Sequence, residues 1–347
     1  MNALVPYLGD LEHLTDQTLT HDGKTEYIHP ALKNLGVVTL VLLREAINPV
    51  VFRNAEDEIT DIEVQEDNYI RAVPNKFKYA ERARGLQILR YYGVGGHYPQ
   101  NRTVVPKGKS AGASFDLNTL VYGDSANGDG RIFPVRAAVN YSDALSIRPS
   151  VECVEDSFHN RAFEDGSLFD AESKENSSNL FTRYFIRPGT VLVQVLSTQG
   201  RVLPLLGLQH LLLSIGLAGT YGGQTSLSGT NVRTHIVGIY ADRFERPIAS
   251  PYVLLPAIHN AVESPRFNHP ETLAMAIDAL MREQFAVGVE GQKVANWQQE
   301  LIEAFVHDDP ELRNQYLYGG KAIQNLFAQW FDKADKKKPG GLAGAQP

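Results

Sequence analysis

The stretch Gly36–Phe52, GVVTLVLLREAINPVVF, is rich in β-branched residues and almost continuously apolar. A run of this kind, with no polar residue at alternate positions, reads as a buried central strand. Two further strands are expected at Thr190–Leu196 (TVLVQVL), introduced by a Pro188-Gly189 turn, and at Asn231–Tyr240 (NVRTHIVGIY). Between them, Pro204–Gly216 reads as an apolar helix with proline in its first turn. Ile132–Ile147 is strand material, Asp116–Asp124 is a short apolar stretch closed by a turn, and Ala126–Gly130 is a loop. Lys76–Tyr92 carries good helix formers and no proline, and Gly93 with Gly95-Gly96 ends it. The alternation places the chain in the α+β class.

The flanks differ in character. Residues 1–35 are mixed and polar and read as an N-terminal arm. Residues 148–183 have weak periodicity and a polar tip, SKENSS, and read as an extended insertion. After Ala241, Pro247, Pro251 and Pro256 mark a connection. Glu271–Phe285, Val294–Val306 and Pro310–Phe331 then read as helices, so residues 241–332 form a helical lobe packed on the sheet. The last segment, 333–347, is of low complexity and expected to be disordered.

Charge is segregated. The chain is net −7, yet Arg71–Lys109 holds nine Lys/Arg against a single acid, Glu81, with Tyr79, Tyr91, Tyr92, His97 and Tyr98 interleaved. Cations neutralise phosphates and aromatic faces stack on bases, so this composition suits nucleic acid. Lys78, Arg82 and Gly85 share one helical face, and Gly85 there is expected to leave room for a phosphate backbone. Residues 97–114, with Lys107 and Lys109, read as a basic loop. Just before the basic segment, Glu56–Asp67 holds seven acids and no base. An acidic patch beside a basic one allows a head-to-tail contact between copies, which builds an open filament rather than a closed dimer.

Several chemistries lack motif support. Cys153 is the only cysteine, which suits a reducing cytoplasm, and the ten histidines show no HxH, HxxxH or HExxH spacing, so no metal site is expected. The N-terminal residues lack a basic and then apolar leader pattern, and the apolar run near Val202–Leu217 is too short and polar to span a bilayer. The glycine-rich loop GLAGTYGG, Gly216–Gly223, is not a dinucleotide fingerprint, has no Walker lysine, and follows a helix instead of a strand, so no nucleotide cofactor is expected. Its exposed backbone N–H groups beside Tyr221, Gly222, Gly223, Gln224, Thr225 and Ser226 suit a phosphodiester chain held without reading sequence. No G-x-S-x-G nucleophile is present. Asp57, Asp61 and Asp67 are the carboxylates that an alternative, metal-dependent cleavage of nucleic acid would use.

Taken in order, these pieces resemble the backbone subunit of CRISPR interference complexes, of the repeat-associated RNA-binding superfamily. The matching passages are the first strand with its basic helix, LVYGDSANGDGRIFPVRAAVNYSDAL with Tyr122-Gly123 and Gly130-Arg131, FHNR (Phe158–Arg161), the turn Pro188–Thr190 with the leucine-rich helix after it, and GGQTSLSGTNV before the last strand. Length and the long basic insertion look most like the type I-D version. The resemblance implies a ferredoxin-like (RRM-type) palm over 36–240, an acidic then basic insertion at 53–115, and a thumb-like hairpin at 148–183. It further implies non-catalytic, sequence-independent binding of CRISPR guide RNA in a helical Cascade filament, with other Cascade subunits and a paired target DNA strand as partners. The implied RNA contacts are Arg53, Asn54, Lys76, Lys78, Arg82, Arg84, Lys107, Lys109, His159, Asn160, Arg161, Tyr221, Gly222, Gly223, Gln224 and Ser226. In type III relatives this subunit cuts RNA with an aspartate after the first strand; Asp57 and Asp61 lie in that region.

Overall fold

The computed structural model describes residues 1–14, 18–52, 59–96, 114–128, 131–160, 169–170, 175–176, 180–222 and 229–331. Its centre is a seven-stranded antiparallel sheet. The strands are β1 (Val37–Ala46), β2 (Asp61–Val64), β3 (Asp67–Ala72), β4 (Val139–Pro149), then, beyond a hairpin of β5 (Val154–Asn160) and β6 (Leu180–Ile186), β7 (Val191–Thr198), β8 (Val232–Asp242) and β9 (Val287–Glu290). The order across the sheet is β9-β8-β1-β7-β4-β3-β2. β1 is central, as its composition requires. Alternate residues serve opposite faces: Val38, Leu40 and Leu42 enter one core, Val41 and Leu43 the other. A strand covered on both faces favours apolar side chains at successive positions, hence its near-continuous apolar run, with buried Thr39 and Arg44 as exceptions.

One face carries α1 (Asn75–Tyr92), the short α2 (Leu117–Tyr122) and α3 (Leu205–Leu217). The helix α1 forms because Phe77, Glu81, Gly85, Ile88, Leu89 and Tyr92 make a buried stripe at helical spacing, and it stops where Gly93 adopts the left-handed conformation, φ +69°. Asp116 caps α2 through a reciprocal capping box with Thr119. The opposite face is covered by α4 (Pro251–Ala261) and α5 (Pro270–Gln284), whose Leu254, Leu255, Ile258, Leu273, Ile277 and Met281 pack on Val41, Leu43, Val193 and Val195. The chain then adds β9 to the sheet edge and returns to the first face as α6 (Gly291–Val306) and α7 (Pro310–Phe331). The C-terminal helices are thus divided between both faces. α4 replaces the expected connection: Pro251 sits at the first helical position, where its missing N–H is harmless. The expected N-terminal arm sends Leu4, Leu8 and Leu14 into the core, and the Gly9 N–H donates to the Leu203 carbonyl.

The antiparallel β5–β6 hairpin begins within the expected segment 148–183 and runs past it, paired from Val154↔Ile186 to Asn160↔Leu180. Its root is fastened to the sheet's end: Val50 and Ile186 exchange both backbone hydrogen bonds, at 3.1 and 2.8 Å, and the Arg187 N–H donates to the Cys153 carbonyl. Among the described residues no helix is long and apolar enough to cross a membrane.

Candidate nucleic-acid interface

The solvent face of α1 and the loop after α3 enclose a cleft of about 730 Å³. Lys76, Lys78, Tyr79, Arg82, Arg84 and Gln87 line one wall, Thr220, Tyr221 and Gly222 the other. Two segments 140 residues apart in the chain, Glu81 and Tyr221, are joined here by a hydrogen bond from the Tyr221 hydroxyl to the Glu81 carboxylate, 3.1 Å.

Behind Tyr221, and joined to it through Glu81, is a buried ion pair. Arg44, on β1, and Glu81, on α1, are both fully buried and lie 2.8 Å apart (Nη1–Oε1). Arg44 Nε donates to Gln194 Oε1 on β7 at 3.1 Å, and Nη1 donates to Thr234 Oγ1 on β8 at 2.8 Å. The Tyr141 hydroxyl donates to Glu81 Oε2 at 2.5 Å. The guanidinium lies over the Phe77 ring, 4.6 Å from its centroid, and Phe77 contacts both Phe52 and Tyr221 at ring separations of 5.1 and 5.2 Å. Burial, the largest influence, pushes the guanidinium pKa down; the Glu81 charge and hydrogen bond together with the Tyr221 and Tyr141 hydroxyls outweigh it, and the net shift is upward. Burial and the Glu81 charge push the Tyr141 and Tyr221 hydroxyls well up, so both stay protonated donors.

The loop is held at both ends. Asn231 brackets Tyr221, accepting from its N–H at 2.9 Å and donating to its carbonyl at 2.8 Å. Gly222 has φ +88°, and a Cβ there would lie 2.3 Å from the Val51 carbonyl oxygen. Left-handed backbone disfavours L-residues by about 1–2 kcal/mol, and crowding adds to it. Gly222→Ala is therefore expected to destabilise the protein by about 2–3 kcal/mol, read as a shift of the urea midpoint. An unchanged midpoint would show that the loop is not clamped against Val51.

The cations of α1 are not equivalent. Arg82 is paired with Asp124 at 2.6 Å. Arg84 donates to Gln87 at 2.6 Å, and neither it nor half-buried Lys78 has a carboxylate partner among the described residues. Burial, then the neighbouring Arg82 charge, pulls the Lys78 pKa below its ordinary value, so an anion in the cleft would relieve it. Elsewhere in the basic segment, Arg71 is paired with Asp143 at 2.7 Å, and Arg90 Nε donates to the Gly96 carbonyl. Gly85 does not open onto the cleft. It is buried where α1 crosses α3, and a Cβ there would lie 2.2 Å from Asn118 Oδ1 and 2.7 Å from His210 Nε2. The expected face shared by Lys78, Arg82 and Gly85 gives way to a stripe in which Gly85 permits close helix packing.

Of the expected contact residues, the fold brings together Lys76, Lys78, Arg82, Arg84, Tyr221 and Gly222. His159 and Asn160 lie on β5, which supplies none of the described walls. Arg53, Asn54, Lys107, Lys109, Arg161, Gly223, Gln224 and Ser226 lie outside the described residues, although Phe52, one residue before Arg53, abuts Gly222. Asp61 is exposed on β2, at the end of the sheet, and Asp57 is outside the described residues. No group of three or more His, Cys, Asp or Glu converges as a metal site among the described residues. Sequence reasoning missed Arg44, Glu81 and Asn231. Glu81 is the single acid in a basic run, and Arg44, with Glu45 after it, is a charge inside an otherwise apolar strand; those anomalies were the available signal.

Fold and cleft together define an α+β protein built on a seven-stranded antiparallel sheet, with a cationic groove along a sheet-packed helix. The model of the Csc2 CRISPR family matches residues 26–304, and the chain belongs to that family. The crystal structure of Csc2 from Thermofilum pendens has the same fold, with TM-score 0.60 and 16% identity over 97% of each chain. A chain of a CRISPR RNA-guided surveillance complex in a pre-nicking state matches with TM-score 0.48 and 12% identity, over 71% of this chain and 87% of that one. No curated protein sequence matches significantly.

Proposed function

We propose that this chain is a non-catalytic subunit of a type I-D CRISPR surveillance complex that grips guide RNA by its phosphate backbone. The observation that carries this reading is the cleft, in which four cations of α1 face the clamped start of a glycine-rich loop. A grip on phosphates suits a guide whose sequence varies while pairing supplies specificity. The palm is read as ferredoxin-like. In its support, β1, α1, β4, β7, α3 and β8 follow a βαββαβ path, the strands lie side by side as β8-β1-β7-β4, and both helices pack on one face. The β5–β6 hairpin is the thumb, interrupting the guide–target duplex, and copies stack head-to-tail along one guide in the cytoplasm, with the other Cascade subunits.

The test is the affinity for a guide-length single-stranded RNA as a function of salt, with sizing of the complexes. Each lost phosphate contact flattens the log–log slope by about 0.7, so Lys78→Ala/Arg84→Ala should flatten it by about 1.4, equally for unrelated RNA sequences. Absence of binding at low salt, or a double variant with the wild-type slope, would return α1 to the status of a solvated surface.

A further inference from the structure

The cleft holds a group that a phosphate track does not require. Tyr79 is 75% exposed and makes no hydrogen bond or ring contact with a described residue. The other tyrosines of α1 are engaged within the fold. Tyr92 is buried against Tyr316 and Phe305, and Tyr91 lies edge-on to Phe305 with the Arg313 guanidinium 5.8 Å from its ring. One turn beyond Tyr79 stands Ala83, and Ala80 adjoins it, so small side chains flank the ring within the cleft. Lys78 and Arg84 stand on either side of this shelf in the sequence.

An apolar ring between cations matches the chemistry of a nucleotide within a strand, where a flat base lies between two phosphates. In a duplex each base face is covered by its neighbours, so only a single strand can offer a free face. Base–aromatic stacking also tolerates every base, because each has a π-face. We infer that Tyr79 is a stacking platform for one unstacked base of a bound single-stranded nucleic acid, with Lys78 and Arg84 holding the flanking phosphates. This rests on the RNA-binding reading and narrows its ligand to a single strand with at least one base turned into the cleft.

The experiment uses the full chain and a single-stranded RNA carrying 2-aminopurine at successive positions, with Tyr79→Ala and Tyr79→Phe. Stacking lost on truncation to alanine corresponds to about 5- to 150-fold in affinity. Tyr79→Ala should weaken binding by that range with the salt slope unchanged, since no charge is removed. Tyr79→Phe should bind like wild type. 2-Aminopurine should be quenched by wild type and Tyr79→Phe at particular positions, and not by Tyr79→Ala. Wild-type affinity in Tyr79→Ala, an altered salt slope, or equal affinity for the same RNA in duplex form overturns the stacking site while leaving backbone gripping intact. Absence of any RNA binding by wild type overturns both. Thermal unfolding of each variant should be unchanged, because the ring is solvated.

Discussion

Arg44→Met is expected to destabilise the protein by about 3–5 kcal/mol, the range seen when one partner of a buried ion pair is removed. The substitution fills most of the same volume, so the loss is electrostatic. Glu81 would be left with no solvent exposure, held by the hydroxyls of Tyr141 and Tyr221 but facing no cation. The double variant Arg44→Met/Glu81→Met should recover a large part of the loss, because the remaining groups are then apolar or neutral. Arg44 Nη2 finds no acceptor among the described residues, so the native pair is incompletely satisfied. Urea unfolding of the two single variants and the double one gives the coupling directly. Single substitutions that each cost under about 1 kcal/mol, or a double variant whose losses simply add, would show that the pair is not a unit. Because the Glu81 carboxylate also fixes Tyr221, either single variant should loosen the loop wall of the cleft and weaken RNA binding beyond what stability explains.

Acid should destabilise the fold through His210. This side chain is fully buried in α3 between Asn118 and Tyr316, with Nε2 3.1 Å from Asn118 Oδ1 and Nδ1 3.1 Å from the Tyr316 hydroxyl. Asn118 Nδ2 donates to the Arg82 carbonyl, so its oxygen faces the ring; Nε2 is then the donor and Nδ1 accepts from Tyr316. Burial pulls the pKa of His210 down to about 3. In the unfolded chain it titrates near its ordinary 6.5. Below that pH the unfolded state takes up a proton that the folded state refuses, so stability is complete above about 6.5 and falls as the pH drops towards 3. The slope is about 1.4 kcal/mol per pH unit, roughly 3 kcal/mol by pH 4.5. His210→Gln should keep a polar side chain at the site and lose one proton's worth of that dependence, seen as a shallower fall of the urea midpoint between pH 6.5 and 4. Parallel curves for the two proteins would exclude His210 as the source.

The strands and long helices are legible in the sequence because both faces of the sheet are covered and α1 is closed by glycine. Gly36–Phe52 reads as a central strand for the reason it is one, and Lys76–Tyr92 matches α1 to within a residue. The rotational phase of α1 is not legible. Its buried stripe includes a glutamate and a glycine, which a hydrophobicity pattern scores as exterior, and only Arg44 on the sheet and Asn118 with His210 opposite explain them. α4 is hidden by its prolines, since Pro251 and Pro256 mark a break unless the first is known to occupy a helix start. The contribution of Leu4, Leu8 and Leu14 is hidden by irregular backbone, which gives buried residues no fixed period. The cleft was half legible: charge on one segment and glycines on another were visible, but not that a buried carboxylate would tie them together.

The division of the C-terminal helices between the two sides of the sheet has a consequence for synthesis. When a ribosome has completed β8, the strands that make up the centre of the protein exist, yet the side facing α4 and α5 is bare, and the other still lacks α6 and α7. The nascent chain therefore carries two incompletely covered hydrophobic surfaces until α4 to α7 emerge, a period in which a growing polypeptide is exposed to aggregation. A stop between β8 and α7 would leave one or both of these surfaces uncovered and yield a sticky fragment instead of a smaller working protein.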